Sequence, residues 1–204
     1  MPPRRNQPFS LRRRTARLRR VALLVALALG LTIGMIGQAQ SAGDGTTEMR
    51  RLAVNAIDQL NVAIREAVFA WPASEVTELR PRAARMLNVL VGPASRHYQA
   101  DIGDPPGADG VGVLTHLQRL REAIRSHGQG TERNRALLFS LEIALTFGQD
   151  AEGKLLSAIR TRDVEALQTA VQHAFAFLSA ARGAREDPLS EGGVRALLAQ
   201  LEAL

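Results

Sequence analysis

Apolar residues recur at steps of three and four along most of the chain beyond residue 45, which is the spacing of one buried face of an α-helix. No segment of that part alternates apolar and polar residues, so the pattern predicts helices and no strands. The first helix should end at Pro72, and its apolar stripe comprises Met49, Ala53, Ile57, Leu60, Ile64, Val68 and Trp71. Pro81 can occupy the first position of the next helix, which is expected over Arg82–Val91 and should end at Gly92.

The same spacing continues to the end of the chain, where a third stripe comprises Leu114, Leu117, Leu120 and Ile124. Thr131 then caps a long apolar helix that either continues or breaks near Gly148. Asp163 suits the cap of the following helix, because its carboxylate can accept the free N–H groups of a first turn. That helix carries apolar residues on two faces, with His173 among them, so we expect it to be the most central. Ser190 should open the last helix.

The N-terminal segment has a different character. Residues 1–41 contain eight arginines and no acidic residue, and residues 21–36 are apolar except for Thr32. Arginines before an apolar run hold that end of a chain in the cytoplasm, so the rest should be exported. The segment is either a cleaved signal peptide, with Ala39-Gln40-Ser41 as the cleavage site, or an uncleaved anchor that crosses the membrane through residues 21–39.

The two halves of the helical part, 46–128 and 131–204, each show a long helix, a second helix, a loop and a closing helix. The loop at Asp104–Gly110 resembles the one at Asp187–Gly192, since each has Asp-Pro followed by an acid and a glycine. The predicted fold class is therefore all-α. We expect an exported helical bundle after an N-terminal apolar helix, built from two duplicated helix–helix–loop–helix halves. Chance is the alternative to duplication, because loops of Pro, Gly and Asp recur in many proteins.

Charge and composition exclude several function classes. The formal net charge of +6 arises from the first 41 residues, because the remainder has 18 basic and 20 acidic residues. Without an excess of cations to neutralise phosphates, the helical part is not expected to bind nucleic acid. The chain has no cysteine, which excludes disulfides, thiolate metal sites and a cysteine nucleophile. No G-x-S-x-G motif is present either, so the sequence predicts a protein that is not an enzyme.

A few acidic and histidine residues are weak candidates for a metal site. Asp101, Asp104 and Asp109 lie in one loop and could offer oxygen ligands to Ca²⁺, but their spacing is not that of an EF-hand, and turn or capping roles are the simpler interpretation. His97 and His173 could join a carboxylate from a distant segment, although His173 is expected to pack in the bundle interior. No cofactor is predicted.

Short motifs accompany the helical pattern. Asn88-Val89-Leu90-Val91-Gly92 closes a helix, Pro106-Gly107-Ala108-Asp109-Gly110-Val111-Gly112 closes the loop after it, and Glu191-Gly192-Gly193 stands in the second half. In these motifs the chain resembles a family of exported bacterial all-helical proteins with N-x-x-V-G helix ends and P-G-x-D-G-x-G loops. The resemblance spans most of 46–204 and implies no particular activity. Arg82 and Arg85 stand where the family has histidines, so it implies no metal role here.

Two functions agree with these observations. The first is a non-catalytic extracytoplasmic binding or scaffold module, tethered to the membrane or secreted, with a protein partner that the sequence does not identify. The alternative is a metal- or cofactor-binding helical bundle in electron transfer or metal handling. Metal or haem retained by the purified helical part would favour the alternative.

Overall fold

The computed structural model describes residues 45–127, 131–183 and 192–203, which belong to a compact unit spanning Gly45–Leu204. Within these ranges the protein has six helices and no strand, so the all-helical class is confirmed there. In chain order they are α1 over residues 45–70, α2 over Val76–Val91, α3 over Val113–Ser126, α4 over Glu132–Arg160, α5 over Val164–Arg182 and α6 over Gly193–Glu202. The predictions for residues 1–41 and for most of the second loop lie outside the described residues. The last helix begins at Gly193 after the cap residue Gly192, so the prediction that Ser190 opens it is wrong.

Helix α4 packs against α2, α3, α5 and α6. Helix α5 packs against α2, α4 and α6, and its Arg182 also donates to Oδ1 of Asn61 in α1 at 2.9 Å. These contacts do not place one of the two helices above the other, so the prediction that α5 is the most central helix stays a prediction. The second apolar face predicted for α5 is only partly buried, since Ala170 is buried and Ala166 is exposed. His173 is exposed on the same face, so its predicted place in the interior is wrong.

Two of the predicted helix starts are confirmed. The Thr131 hydroxyl accepts the N–H of Asn134 at 3.2 Å, and the Asp163 carboxylate accepts the N–H of Glu165 at 2.8 Å. Helix α4 continues without a break through Gly148 to Arg160. A Cβ at Gly148 would lie 2.9 Å from a methyl of the Leu114 side chain, so this glycine permits the close approach of α3 rather than a break.

Helix α2 differs from the prediction at its start. It begins at Val76, and Pro81 is its sixth residue instead of its first. Because proline has no N–H, the carbonyl of Thr77 lacks the helical donor that it would otherwise have. The predicted end is confirmed, since Gly92 has φ of 72° and donates its N–H to the Asn88 carbonyl at 2.8 Å.

The stripe of α1 is confirmed in its first turns and wrong in its last. Met49, Leu60 and Ile64 are buried, whereas Val68 and Trp71 are exposed. The last turns bury Ala63, Ala67 and Ala70 instead. Small alanines on this face let the end of α1 approach its neighbours closely, and an apolar pattern weighted toward large residues does not reveal that face.

Two pairs of glycines bring the chain back on itself where a helix ends and a later one begins. A Cβ on Gly92 would lie 2.1 Å from the carbonyl oxygen of Val111, and one on Gly183 would lie 2.3 Å from that of Gly192. The glycines on the facing segments of chain are equally crowded. A Cβ on Gly112 would lie 2.5 Å from the amide nitrogen of Gly92, and one on Gly193 would lie 2.9 Å from that of Gly183. Backbone meets backbone at both junctions, where no side chain fits.

Hydrogen bonds between the halves also occur in pairs. Arg80, the fifth residue of α2, donates to the carbonyl of Thr161, three residues before α5, at 2.7 Å. Gln168, the fifth residue of α5, donates to the carbonyl of Ala73, three residues before α2, at 3.1 Å. Each second helix therefore contacts the turn before the other one in the same register.

Candidate functional site

The loop between α2 and α3, residues 92–112, is held in place by a buried amide. Asn88 is 1% exposed, and its Nδ2 donates to the carbonyls of Gln99 at 3.0 Å and Gly103 at 2.9 Å. Its Oδ1 accepts the N–H of Gln99 at 2.7 Å. Every polar group of the side chain is therefore used to fix the middle of the loop against α2.

The end of the loop is held by groups from α1 and α3. Gln59 donates to the carbonyl of Gly107 at 3.3 Å and accepts the N–H of Asp109 at 3.2 Å. The Asp109 carboxylate accepts the N–H of Val111 at 2.9 Å and the Nε2–H of His116 at 2.5 Å. Gln59 and His116 are buried, so this part of the loop is anchored by polar groups removed from water.

The start of the loop is attached to α4 through a histidine. Nδ1 of His97 lies 2.7 Å from the Glu152 carboxylate, and Nε of Arg96 donates to Nε2 of His97 at 3.1 Å. Both His97 and Glu152 are half-buried. The loop is therefore fixed to all of α1, α2, α3 and α4, which makes it a rigid wall.

A cavity of about 550 Å³ lies between this wall, the N-terminal half of α2 and the C-terminal end of α4. Its apolar surface comes from Val76, Pro81, Ala84, Ile102, Leu156 and Ile159, and its polar surface from Thr77, Arg80, Arg96, His97, Gln99, Asp101 and Arg160. Its volume is in the range of small-molecule binding sites, which combine apolar walls with a few convergent polar groups.

Three guanidinium groups line this cavity without acidic partners. Within the described residues, no carboxylate oxygen lies within 4.0 Å of a guanidinium nitrogen of Arg80, Arg96 or Arg160. Nε of Arg80 is buried and has no hydrogen-bond partner among those residues. Asp101 is the carboxylate among the lining residues, so the lining carries an excess of positive charge.

A second groove occupies the corresponding place in the other half. It lies between α5 and the end of α1, where Trp71 contacts Phe175 edge to face with ring centroids 5.6 Å apart. Its volume is about 120 Å³. Relative to the starts of α2 and α5, Gln168 and Gln172 stand where the larger cavity has Arg80 and Ala84, and Trp71 stands where it has Ile159. The second groove is therefore narrow and uncharged at these positions.

The structure separates the residues that the sequence singled out as weak metal candidates. His97 and Asp101 line the cavity, and Asp109 is paired with His116 in the loop. Asp104 is exposed near Tyr98, where burial and a hydrogen bond with the Asp104 carboxylate raise the pKa of the tyrosine. His173 is exposed on α5. Across the described ranges, no group of three or more histidine or acidic side chains is placed to hold a metal ion.

Sequence reasoning missed the residues that give the cavity its character. Arg80, Arg96 and Arg160 lie far apart in the chain and resemble ordinary charges on helix or loop surfaces. The one signal available was Asn88, a polar residue within an otherwise apolar helix end. Gln59 and His116 gave no comparable signal, because single polar residues on helices are most often exposed.

Comparisons of the chain with protein-family models, with curated proteins and with solved structures found no match. None of the helices in the described ranges has both the length and the apolar character that a membrane crossing requires. The apolar run at residues 21–36 lies outside those ranges.

Asp109→Asn should destabilise the folded protein by about 1–3 kcal/mol at pH 7, because the charged acceptor of His116 and Val111 is lost. Burial raises the pKa of Asp109, but the hydrogen bonds from Val111 and His116 outweigh it and hold the pKa below the ordinary 3.8. A depressed folded-state pKa stabilises the protein above the unfolded-state value, and this contribution is lost as pH falls through the folded-state pKa. Urea denaturation of both proteins from pH 7 to pH 2 measures it.

The matched control is Asp101→Asn in the same loop, an exposed aspartate, which should change the free energy of unfolding by less than about 0.5 kcal/mol. A difference between the parent protein and Asp109→Asn that stays constant from pH 7 to pH 2 would contradict the assignment of the effect to this carboxylate.

Proposed function

We propose that the helical domain is a non-catalytic extracytoplasmic binding module and that the 550 Å³ cavity between α2, the 92–112 loop and α4 is its binding site. The observation that carries the proposal is the difference between the two corresponding grooves. One is narrow beside Trp71, whereas the other is wide, lined by arginines and bounded by a wall that buried polar groups hold rigid. A preformed concave site of this kind suits a small-molecule ligand.

The non-catalytic interpretation is supported by the pairing of the two histidines that contact the 92–112 loop, one of which, His97, lines the cavity. His97 is paired with Glu152, and His116 with Asp109. Each pair joins the loop to a helix, which accounts for both histidines by a positioning role. Binding is therefore the simplest chemistry that accounts for the lining.

The extracytoplasmic location is supported by the arrangement of charge in the first 41 residues, with eight arginines before the apolar run. In the cleaved form the domain would be released, and in the anchored form residues 21–39 would attach it to the membrane. A protein partner is compatible with either form.

Ile159→Trp should abolish small-molecule binding to the cavity, because an indole at this position reproduces the residue that stands at the corresponding place in the narrow groove. The measurement is ligand-observed NMR with a panel of soluble neutral, anionic and cationic fragments. We expect fragments that bind the parent protein to lose at least about tenfold in affinity in Ile159→Trp.

The control is Ile143→Trp, which introduces the same side chain at another half-buried isoleucine of α4, beside Gly192 and outside the cavity lining. It should leave fragment binding unchanged. Equal losses in both variants, or unchanged binding in Ile159→Trp, would remove the cavity from the proposal.

A reporter that is active only after export, fused after Leu204, should be active in cells. The positive charge lies on the N-terminal side of the long apolar run, and this asymmetry sets the orientation. The control is the same fusion without residues 1–41, which should be inactive. If instead a reporter that requires the cytoplasm is active on the full-length fusion, the extracytoplasmic proposal is wrong.

We also infer that the two halves, 46–128 and 131–204, arose by duplication. The paired glycine junctions and the matched bonds of Arg80 and Gln168 support this. The buried residues of α2 and α5 agree in the same register, since both helices bury their fourth, eighth, eleventh and fifteenth residues. These residues are Leu79, Ala83, Met86 and Leu90 in α2 and Leu167, Val171, Ala174 and Leu178 in α5.

A third correspondence joins the ends of the halves. Arg50, near the start of α1, donates to the carbonyl of Leu201 at the end of α6 at 3.0 Å. Asn134, near the start of α4, donates to the carbonyl of Ile124 at the end of α3 at 3.1 Å. At the level of whole helices, exchange of the halves converts the α1–α6 contact into the α4–α3 contact, which is the pattern of a pseudo-twofold arrangement.

Gly92→Ala and Gly183→Ala should each destabilise the protein by at least about 2 kcal/mol, because alanine at positive φ is strained and its Cβ would overlap a carbonyl oxygen. Gly153→Ala is the control. A Cβ on this helical glycine would meet no other described atom within 4 Å, so alanine should stabilise the protein by about 0.5–1 kcal/mol. Thermal and urea denaturation measure all three. A tolerated Gly183→Ala beside a damaging Gly92→Ala would show that the junctions differ and would weigh against duplication.

A further inference from the structure

We propose that the ligand of the cavity is an organic anion, a carboxylate or phosphate group attached to a short apolar body. This inference rests on the binding function proposed above and adds the chemical class of the ligand. Its observations are the guanidinium groups of Arg80, Arg96 and Arg160 and the apolar residues that face the same space.

The three lining arginines have no acidic partners among the described residues. Buried or partly buried guanidinium groups in proteins are normally paired with carboxylates, because an unpaired charge away from water is costly. This cost applies to Arg80, which is half-buried, whereas Arg96 and Arg160 are exposed. Within the described residues, none of the three has a carboxylate partner within 4.0 Å. Arg80 has one bond, to the Thr161 carbonyl, and its buried Nε keeps an unused N–H. An anion in the cavity would supply the acceptors that the chain does not.

The geometry of the guanidinium groups also favours a carboxylate, which is planar, or a phosphate, which is tetrahedral. Guanidinium groups offer several N–H donors in a fixed plane, which matches the oxygens of carboxylate and phosphate. One arginine each from α2, the loop and α4 lines the cavity. The narrow groove has Gln168 at the place that corresponds to Arg80. The positive charge is therefore particular to the wide cavity and is not shared by both grooves.

The apolar lining requires that the ligand be more than an inorganic ion. Val76, Leu156 and Ile159 line the cavity together with Ile102 from the loop, and hydrated inorganic phosphate would leave them in contact with water. An alkyl or aryl body would cover them and remove their apolar surface from water, which favours binding. The ligand therefore needs both parts.

The experiment uses the full-length protein in nanodiscs of zwitterionic lipid, with empty nanodiscs as the blank, and isothermal titration calorimetry. The probes share one alkyl body and differ in the head group: hexanoate, hexyl phosphate, hexan-1-ol and hexylamine, with inorganic phosphate as the probe that lacks the body. We expect hexanoate or hexyl phosphate to bind at least about tenfold more tightly than hexan-1-ol, and hexylamine to bind least. The comparison of the two anions identifies the head group.

The variants are Arg96→Met and Arg160→Met, both at exposed positions, so the fold should not depend on them. Each should weaken the better anion about tenfold, the loss of a charge-assisted hydrogen bond, and leave hexan-1-ol unchanged. The matched control is Arg133→Met, an exposed arginine in the first turn of α4 and outside the cavity lining, which should change nothing. Circular dichroism confirms that all three variants remain helical.

The outcomes separate this inference from the proposed function. If hexan-1-ol or hexylamine binds as tightly as the anions, or if Arg96→Met and Arg160→Met behave like Arg133→Met, the anion class is wrong. If the binding of these probes is still lost in Ile159→Trp, the cavity remains the proposed binding site and only the class of ligand is wrong. If no probe binds at millimolar concentration, or if Ile159→Trp leaves anion binding intact, the inference is overturned together with the cavity. Inorganic phosphate that binds as tightly as hexyl phosphate overturns the requirement for an apolar body.

Discussion

The rest of the site depends on the hydrogen bonds that the buried side chain of Asn88 makes. Its amide makes three hydrogen bonds with the backbone of the 92–112 loop, at Gln99 and Gly103. These bonds replace secondary structure in a stretch that has none, since a buried backbone group without a partner is costly. The same stretch presents His97, Gln99, Asp101 and Ile102 to the cavity. Without the amide, the cavity would lose one wall.

The second constraint is the repeated frame of the two halves. Glycine pairs at both junctions let helix ends meet backbone to backbone, and the fifth residues of α2 and α5 fix each second helix to the opposite turn. Such a frame produces two similar grooves. Side chains then decide how wide each groove is, because Ile159 leaves space where Trp71 narrows it. The long 92–112 loop closes the wide groove, so the two grooves differ although the contacts around them correspond.

The sequence predicted what local chemistry determines. Thr131 and Asp163 cap helices because their oxygens reach the next free N–H groups, and Gly92 ends α2 because positive φ favours glycine. It did not predict the start of α2, since a proline inside a helix is tolerated when the rest of the helix packs well. It misplaced His173 because alanines make a helix face look apolar without requiring burial. The three lining arginines could not be predicted, because Arg80, Arg96 and Arg160 come to one cavity only through the packing of α2, the 92–112 loop and α4.

Neutral amide groups hold much of the loop in place, and this leaves the positive charge of the lining arginines without carboxylate partners in the part of the chain that the structure describes. The middle and end of the loop are held by the amides of Asn88 and Gln59 and by the backbone, not by carboxylates paired with the lining arginines. Acidic anchors beside Arg80 or Arg160 would have satisfied those guanidinium groups and removed their attraction for a ligand. Unpaired cations close together repel one another and lower the stability of the folded protein. The proposed anion, bound between them, would replace repulsion with attraction, so its binding would also stabilise the folded protein.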